Sequence, residues 1–439
     1  MSTDNSGRDH ALRIVGGAPL AGSICISGSK NAALPEMAAA LLTEEPVTLH
    51  NVPKVTDTVL MGDIVKLLGG SSEGAGTVRL DARGATRTDV PDEIGRRMRA
   101  TIVLLGALLG RSGRARVPRP GGDDIGARRV EQHLRGLRQM GARITETDKE
   151  IVAEADRLRG VRIVFDLPTV TGTENILLAA VTAEGRTEIF NAAREPHVQD
   201  LCHLLVKMGA RIDGIGTERL VVDGRSKLGG AEHTVVADYL EAGTYAIAVA
   251  AAGGELRIDC SRPEDLQVLL LKLEQAGAHV ETGKGWFRVG RKANTPLQPI
   301  DMSTWTFPGF PTDLQAQYMA LMTQAQGDSV ISEYVHENRF QHVRELAKMG
   351  AEITVEGRLH ALVHAPSRLH GTDVAIPDIR SGAALVIAAL CAEGETVLRN
   401  AWHVERGYEN MAAKLASIGA RITMVTIDEK PVGSGSTYE

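Results

Sequence analysis

An α/β fold built from two similar three-unit domains is what this sequence predicts. Three observations point there. A helix–glycine–strand mark recurs six times, and a second helix–turn–strand mark sits between its copies. The 439-residue chain is also 43% hydrophobic but only 3% aromatic, which gives a large core built from Leu, Val, Ile and Ala.

The first mark reads VKLLGG at 65–70, LRQMGARI at 137–144, LVKMGARI at 205–212, LEQAGAHV at 273–280, LAKMGAEI at 346–353 and LASIGARI at 415–422. Its glycines, Gly69, Gly141, Gly209, Gly277, Gly350 and Gly419, lie 72, 68, 68, 73 and 69 residues apart. An amphipathic helix leads into each glycine. Glycine closes the helix because it takes the left-handed position after a helix without a Cβ penalty. A short alternating strand follows.

The second mark reads AAVTAEGRTEIFN (179–191), AVAAAGGELRIDC (248–260) and AALCAEGETVLRN (388–400), with looser copies ALLTEEPVTLHN (40–51) and ALMTQAQGDSVISE (320–333). Each unit of roughly 70 residues therefore reads strand–helix–strand–helix–strand, with room for one more strand. That period exceeds the ~20–50 residues of ordinary solenoids. The units group as three plus three, switching near Ala237-Asp238, and a cleft between two such domains is a natural small-ligand site.

Composition narrows the function. A net charge of −6 argues against a general nucleic-acid binder, which needs a broad basic face. An anionic ligand would then need a local cationic pocket. The longest apolar run, AALVIAALCA (383–392), is too short to span a bilayer, and MSTDNSGRDH lacks the apolar core of a signal peptide, so a cytoplasmic location is expected. Cys25, Cys202, Cys260 and Cys391 form no CxxC pair and are expected to be small buried apolar residues. His360 and His364 have HxxxH spacing, but RLHALVHA alternates like a strand, which sets them about 13 Å apart. No metal site is expected.

Five segments carry candidate chemistry. ISGSKNAALPEMAAALL (26–42) puts Lys30 and Asn31 at the start of an apolar helix, which reads as an anion or sugar site or as a Ser/Asn cap beside a solvated lysine. VPRPGGDDIGARRV (117–130) crowds Gly121, Gly122, Asp123 and Asp124 with Arg119, Arg128 and Arg129, and Arg111, Arg114 and Arg116 precede it. It reads as a mobile loop over an anion, or as a charge-balanced exposed turn. FPGFPTDLQAQYMALM (307–322) offers Asp313 as a general base in a cleft or as a helix cap. PDIRSGAAL (377–385) and HVERGYENM (403–411) place Arg380 and Arg406 at loop–helix junctions, where each alone reads as a surface salt bridge.

Together these motifs resemble the enolpyruvyl transferase family. The matching segments, from about Leu12 to Ile422, are GSKNAALPEMAAALL, MRATIVLLGALLGR, PGGDDIGARRVEQHL, TVTGTENILLAAV, NAAREPHVQDLCHLL, FPGFPTDLQAQYMAL, ENRFQHVRELAKMGA and HVERGYE, in the family's order. The resemblance implies two inside-out α/β barrels, each of three βαβαββ repeats. One domain would span residues 30–237 and the other 1–29 with 238–429, leaving 430–439 as a disordered tail.

It further implies transfer of the enolpyruvyl group of phosphoenolpyruvate to a sugar 3-hydroxyl with release of phosphate. With UDP-N-acetylglucosamine as acceptor this is the first committed step of peptidoglycan precursor synthesis. No cofactor, metal, nucleic acid, membrane or obligate protein partner is implied. Asp313 matches the family's base, Asp123 its mobile-loop acid, and Lys30, Arg128, Arg380 and Arg406 the positions that hold phosphoenolpyruvate. Asn31, Arg99, Val130, Thr169, Val170, Thr173, Val335 and Arg339 fall in segments lining the nucleotide-sugar side or the cleft.

Three departures stand out. Most of the family has cysteine where this chain has Asp123, which implies resistance to fosfomycin. Arg129-Val130-Glu131-Gln132 replaces the usual Pro-Val-Asp-Leu, and Tyr239 replaces an arginine. These changes leave open an enolpyruvyl transferase acting on another uridine nucleotide, or a catalytically silent ligand-binding copy.

Overall fold

The computed structural model describes residues 9–427 except 124, 127, 128, 293 and 294. Among the described residues the strands form six sheets, five of four strands and one of three. The same unit builds them. Strand Arg162–Val164, helix Val170–Ala180, strand Arg186–Phe190, helix Pro196–Lys207 and strands Arg211–Asp213 and Arg219–Asp223 follow in order. The first and second strands pair in parallel (Glu188↔Arg162), and the rest pair antiparallel (Arg186↔Asp223, Arg211↔Asp223). This is the βαβαββ repeat. The six marker glycines all turn left-handed, with φ of 104, 103, 99, 101, 96 and 102° in chain order.

Within each unit the helix between the parallel strands lies innermost. Lys30–Ala39, Val170–Ala180, Tyr239–Ala252, Gln315–Met322 and Ile379–Cys391 are buried almost all round, as helices apolar on every face must be. They pack on one another in two groups with the sheets outside, which is the inside-out arrangement. Small residues allow the close approach. A Cβ on Gly106 would lie 2.1 Å from the Asn175 carbonyl oxygen of the next helix. The scarcity of aromatic residues follows from the same crowding.

Two hydrophobic cores result. One runs from Ala32 to Val235, and the other joins Leu12–Ile26 to Tyr239–Ile422. The chain passes between them twice, at 26–29 and 236–238. These crossings touch through the antiparallel bridge Gly28↔Ala237 and through Asp238 N donating to Ser27 O at 2.9 Å. The early segment completes later units. Strand Leu20–Cys25 pairs with Gly254–Asp259, and Asp9–Val15 pairs with both Glu395–Arg399 and Arg421–Ile427.

Two cysteines depart from expectation. Cys25 and Cys260 are exposed and joined by a disulfide, Cα–Cα 5.3 Å, rather than buried as separate apolar side chains. They are 235 residues apart in sequence, and only the parallel pairing Cys25↔Asp259 makes them neighbours. Cys202 is buried and Cys391 half-buried, with burial pushing both thiols up to about 12. No helix among the described residues is long and apolar enough to cross a membrane.

Candidate active site

Among the described residues, these five inner helices, and the turn Arg99–Val103 that leads into a sixth helix, Leu104–Ser112, begin at one cavity of about 370 Å³. Its wall includes Lys30 and Asn31, Arg99 and Ala100 ahead of helix Leu104–Ser112, and Thr169–Thr171. Tyr239 and Leu240, Thr312 and Asp313 ahead of helix Gln315–Met322, and Ile379 and Arg380 complete the ring. A helix start presents backbone N–H groups without intrahelical partners and the positive end of the macrodipole. Six converging starts make a field suited to an anion.

Side-chain charge reinforces it. Lys30, only 9% exposed, donates to Asp57 Oδ2 at 3.2 Å. Asp57 Oδ1 accepts from Arg406 Nε at 3.2 Å, and Arg406 Nη1 reaches Asp123 Oδ1 at 2.9 Å. Asp57 and Asp123 belong to one half of the molecule and Arg406 to the other, so one guanidinium clasps both sides of the cleft. The Asp123 segment closes onto the second half again where Asn338 N donates to Ile125 O at 3.3 Å.

Facing this cluster, Asp313 Oδ1 accepts from Arg339 at 2.6 Å and Oδ2 from Arg380 at 3.0 Å. Arg380 also donates to the Tyr408 hydroxyl at 3.0 Å. Burial pushes the Asp313 carboxyl up, but the Arg380 and Arg339 charges outweigh it and hold the group well below the usual carboxylate range. The helix-cap reading of Asp313 fails, because its oxygens go to arginines rather than to backbone N–H groups. The surface-bridge reading of Arg380 fails as well, since that residue is 6% exposed.

A second pair of acids, Glu174 and Glu195, lines the same wall. Burial, and then the Glu195 charge, push Glu174 up to about 8. A carboxyl raised in the fold contributes stability that is complete below its unfolded value near 4.5 and is lost as pH rises toward 8, at up to about 1.4 kcal/mol per unit. Glu174→Gln should therefore melt at a progressively higher temperature relative to wild type as pH goes from 5 to 9. Thermal scans across that range check this, and a constant offset would refute it.

Of the sequence-derived site residues, Lys30, Asn31, Arg99, Asp123, Thr169, Val170, Asp313, Val335, Arg339, Arg380 and Arg406 share the cavity wall. Val130 and Thr173 do not reach it. Val130 is 4% exposed within the first core, and Thr173 is fully buried with its hydroxyl accepting from Ala193 N at 3.0 Å. Arg128 lies outside the described residues. Arginines before the loop, and Arg119 at its start, are structural. Arg111 donates to the carbonyls of Leu41, Ala82 and Ala85, while Arg114 and Arg119 pair with Glu154 and Glu146.

Among the departures, Arg129 and Tyr239 line the cavity, and Tyr239 stacks on His197 at 6.4 Å. Gln132 instead ties Asp166 N at 2.7 Å and Leu167 O at 3.1 Å. Sequence reasoning missed Asp57, Glu174, Glu195 and His197. Asp57 in TDT reads as an ordinary acidic helix start, and nothing local betrays a partner 349 residues away. Away from the cavity, Asp200 Oδ1 meets His233 Nε2 at 3.0 Å beside fully buried Glu36. Burial, and then Asp200, raise the Glu36 carboxyl well above its ordinary value.

Residues 14–415 match the family model of EPSP synthase (3-phosphoshikimate 1-carboxyvinyltransferase). The UDP-N-acetylglucosamine 1-carboxyvinyltransferase of Solibacter usitatus (strain Ellin6076) is 49% identical over 414 residues, 94% of this chain and 99% of that protein. Its namesake from Koribacter versatilis (strain Ellin345) is 48% identical over 417 residues, 94% of this chain and 96% of that protein. Among solved structures, the enolpyruvyl transferase NikO from Streptomyces tendae superposes with a TM-score of 0.86 at 27% identity, covering 96% of this chain and all of that one. EPSP synthase from Acinetobacter baumannii, at 17% identity and TM-score 0.71 over 95% of this chain and 100% of that one, shares the fold.

Proposed function

Because this chain belongs to the EPSP synthase family of carboxyvinyltransferases, we propose that it transfers the enolpyruvyl group of phosphoenolpyruvate to the 3-hydroxyl of UDP-N-acetylglucosamine, releasing phosphate. The observation that carries the reading is a pair of carboxylates, Asp123 and Asp313, on one cavity wall from opposite halves, with Lys30, Arg380 and Arg406 among them. The two relatives at 49% and 48% identity support this acceptor. We place the reaction in the cytoplasm, since both substrates are anions that do not cross a bilayer unaided.

Addition moves two protons. The acceptor hydroxyl oxygen bonds to C2 of phosphoenolpyruvate as its proton passes to Asp313, while the C3 methylene takes a proton from Asp123. Elimination reverses the traffic at C3, and the C2–O bond to phosphate breaks. Both carboxylates bond to arginines. A substrate phosphate or carboxylate that draws Arg406 and Arg380 to itself frees Asp123 to carry a proton and raises the basicity of Asp313. Substrate binding thus prepares both groups for their tasks.

Phosphate release with phosphoenolpyruvate and UDP-N-acetylglucosamine tests the reading. Release with this pair supports it. Release only with another uridine nucleotide would reassign the acceptor, and none with any acceptor would mark a silent copy.

A further inference from the structure

Four repeat units finish their parallel strand pair alike. The last residue of the central strand accepts a hydrogen bond from the residue just beyond its neighbour: His50 from Val235 at 3.0 Å, and Phe190 from Phe165, Asp259 from Ile26 and Arg399 from Ile376, each at 3.1 Å. The next residue on the central strand is then left-handed: Asn51, Asn191, Cys260 and Asn400, with φ of 58, 58, 57 and 60°. Asparagine tolerates this backbone better than most non-glycine residues. In two units its amide also fastens the strand ends. Asn51 Nδ2 donates to Val235 O at 3.1 Å, and Asn191 Nδ2 donates to Phe165 O at 3.0 Å.

Cys260 sits at the asparagine position with no amide to offer. Its tie to the neighbouring strand is the disulfide to Cys25, the last residue of Leu20–Cys25. That strand runs straight into the crossing at 26–29 and on to Lys30. Both sulfurs belong to exposed residues, whereas Cys202 is buried.

We propose that Cys25 and Cys260 form a reversible thiol–disulfide modification site for low-molecular-weight disulfides and thiols of the glutathione class, the bond standing in for the asparagine fastening of the sister units. One exposed thiolate attacks the small disulfide, forming a mixed disulfide and expelling one small thiolate. The second cysteine thiolate then attacks the protein sulfur of that mixed disulfide, expelling the other. Two electrons pass from the cysteine pair to the small disulfide, and the two cysteine protons go to the departing thiolates. Excess small thiol runs the exchange backward. The seat of the crossing is thereby fastened or loosened by thiol redox state.

The test uses the full chain, reduced or treated with oxidised glutathione, then alkylated and mapped by mass spectrometry alongside thermal melts. Cys25 and Cys260 should alkylate only after reduction, and the oxidised protein should melt about 5 °C above the reduced one. Cys260→Asn should melt identically under both conditions and above Cys260→Ala. Equal labelling of Cys25 and Cys260 in both states would overturn the proposal. So would a melting temperature indifferent to oxidation, or Cys260→Asn no more stable than Cys260→Ala.

Discussion

Asp313→Asn should lower kcat by roughly 10³-fold, within the 10²–10⁴ range that positioned proton transfer contributes. The amide keeps the shape of the side chain, but its single oxygen can accept from only one of Arg339 and Arg380, and it cannot take the acceptor's proton. The arginines make the case sharper. They hold Asp313 well below the usual carboxylate range, so in the free enzyme it stays ionised from pH 5 to 9 and sets no acid limb in that window. By the same sign, its contribution to stability is present above its unfolded value near 3.8 and is lost only in stronger acid. Asp313→Asn should therefore carry one constant stability offset across neutral pH, while turnover collapses throughout. Phosphate release and thermal melts on the same samples separate the two effects. A loss in kcat below tenfold would remove Asp313 from the role of base.

Asp123 supplies the second large effect. Asp123→Ala should cost about 10²–10³ in kcat with the melting temperature little changed, because the residue lies on a loop at the cavity rim and its partner Arg406 keeps Asp57. Asp123→Cys should restore much of the turnover, since a thiol can also donate a proton. It should also create a vulnerability. A thiolate opens an epoxide far faster than a carboxylate does. Incubation with fosfomycin should leave the wild type active and unmodified, while Asp123→Cys inactivates with time and gains one covalent adduct by mass. Time-dependent inactivation of the wild type would contradict the assignment of Asp123.

The elements legible in the sequence were those whose cause is local. Glycine after an amphipathic helix dictates a left-handed residue wherever it occurs, and six repetitions exposed the unit and its count. Lys30, Asp313 and Arg380 were legible as candidates because each sits at a helix start, and Arg406 because it follows a short helix at a loop junction, but their pairing was not. Lys30 read equally well as a solvated lysine until Asp57 was placed beside it. The arginine-rich run 111–119 misled for the same reason. Charge density along the chain says nothing about which guanidinium turns inward to backbone carbonyls, as Arg111 does. Cys25 and Cys260 show the limit most clearly, because only closure of the second group of sheets makes them neighbours.

That closure has a consequence for how the protein is made. Strand Asp9–Val15 leaves the ribosome well before its partner Arg421–Ile427. At roughly 5–20 residues per second, the wait is about 20–80 s. Meanwhile the whole of the Ala32–Val235 core can collapse on its own, as an insert held between unfinished ends. Nascent chains stalled before residue 420 should thus carry one finished half and an unpaired, aggregation-prone amino-terminal strand. This gives the cell's chaperones a defined window in which to act.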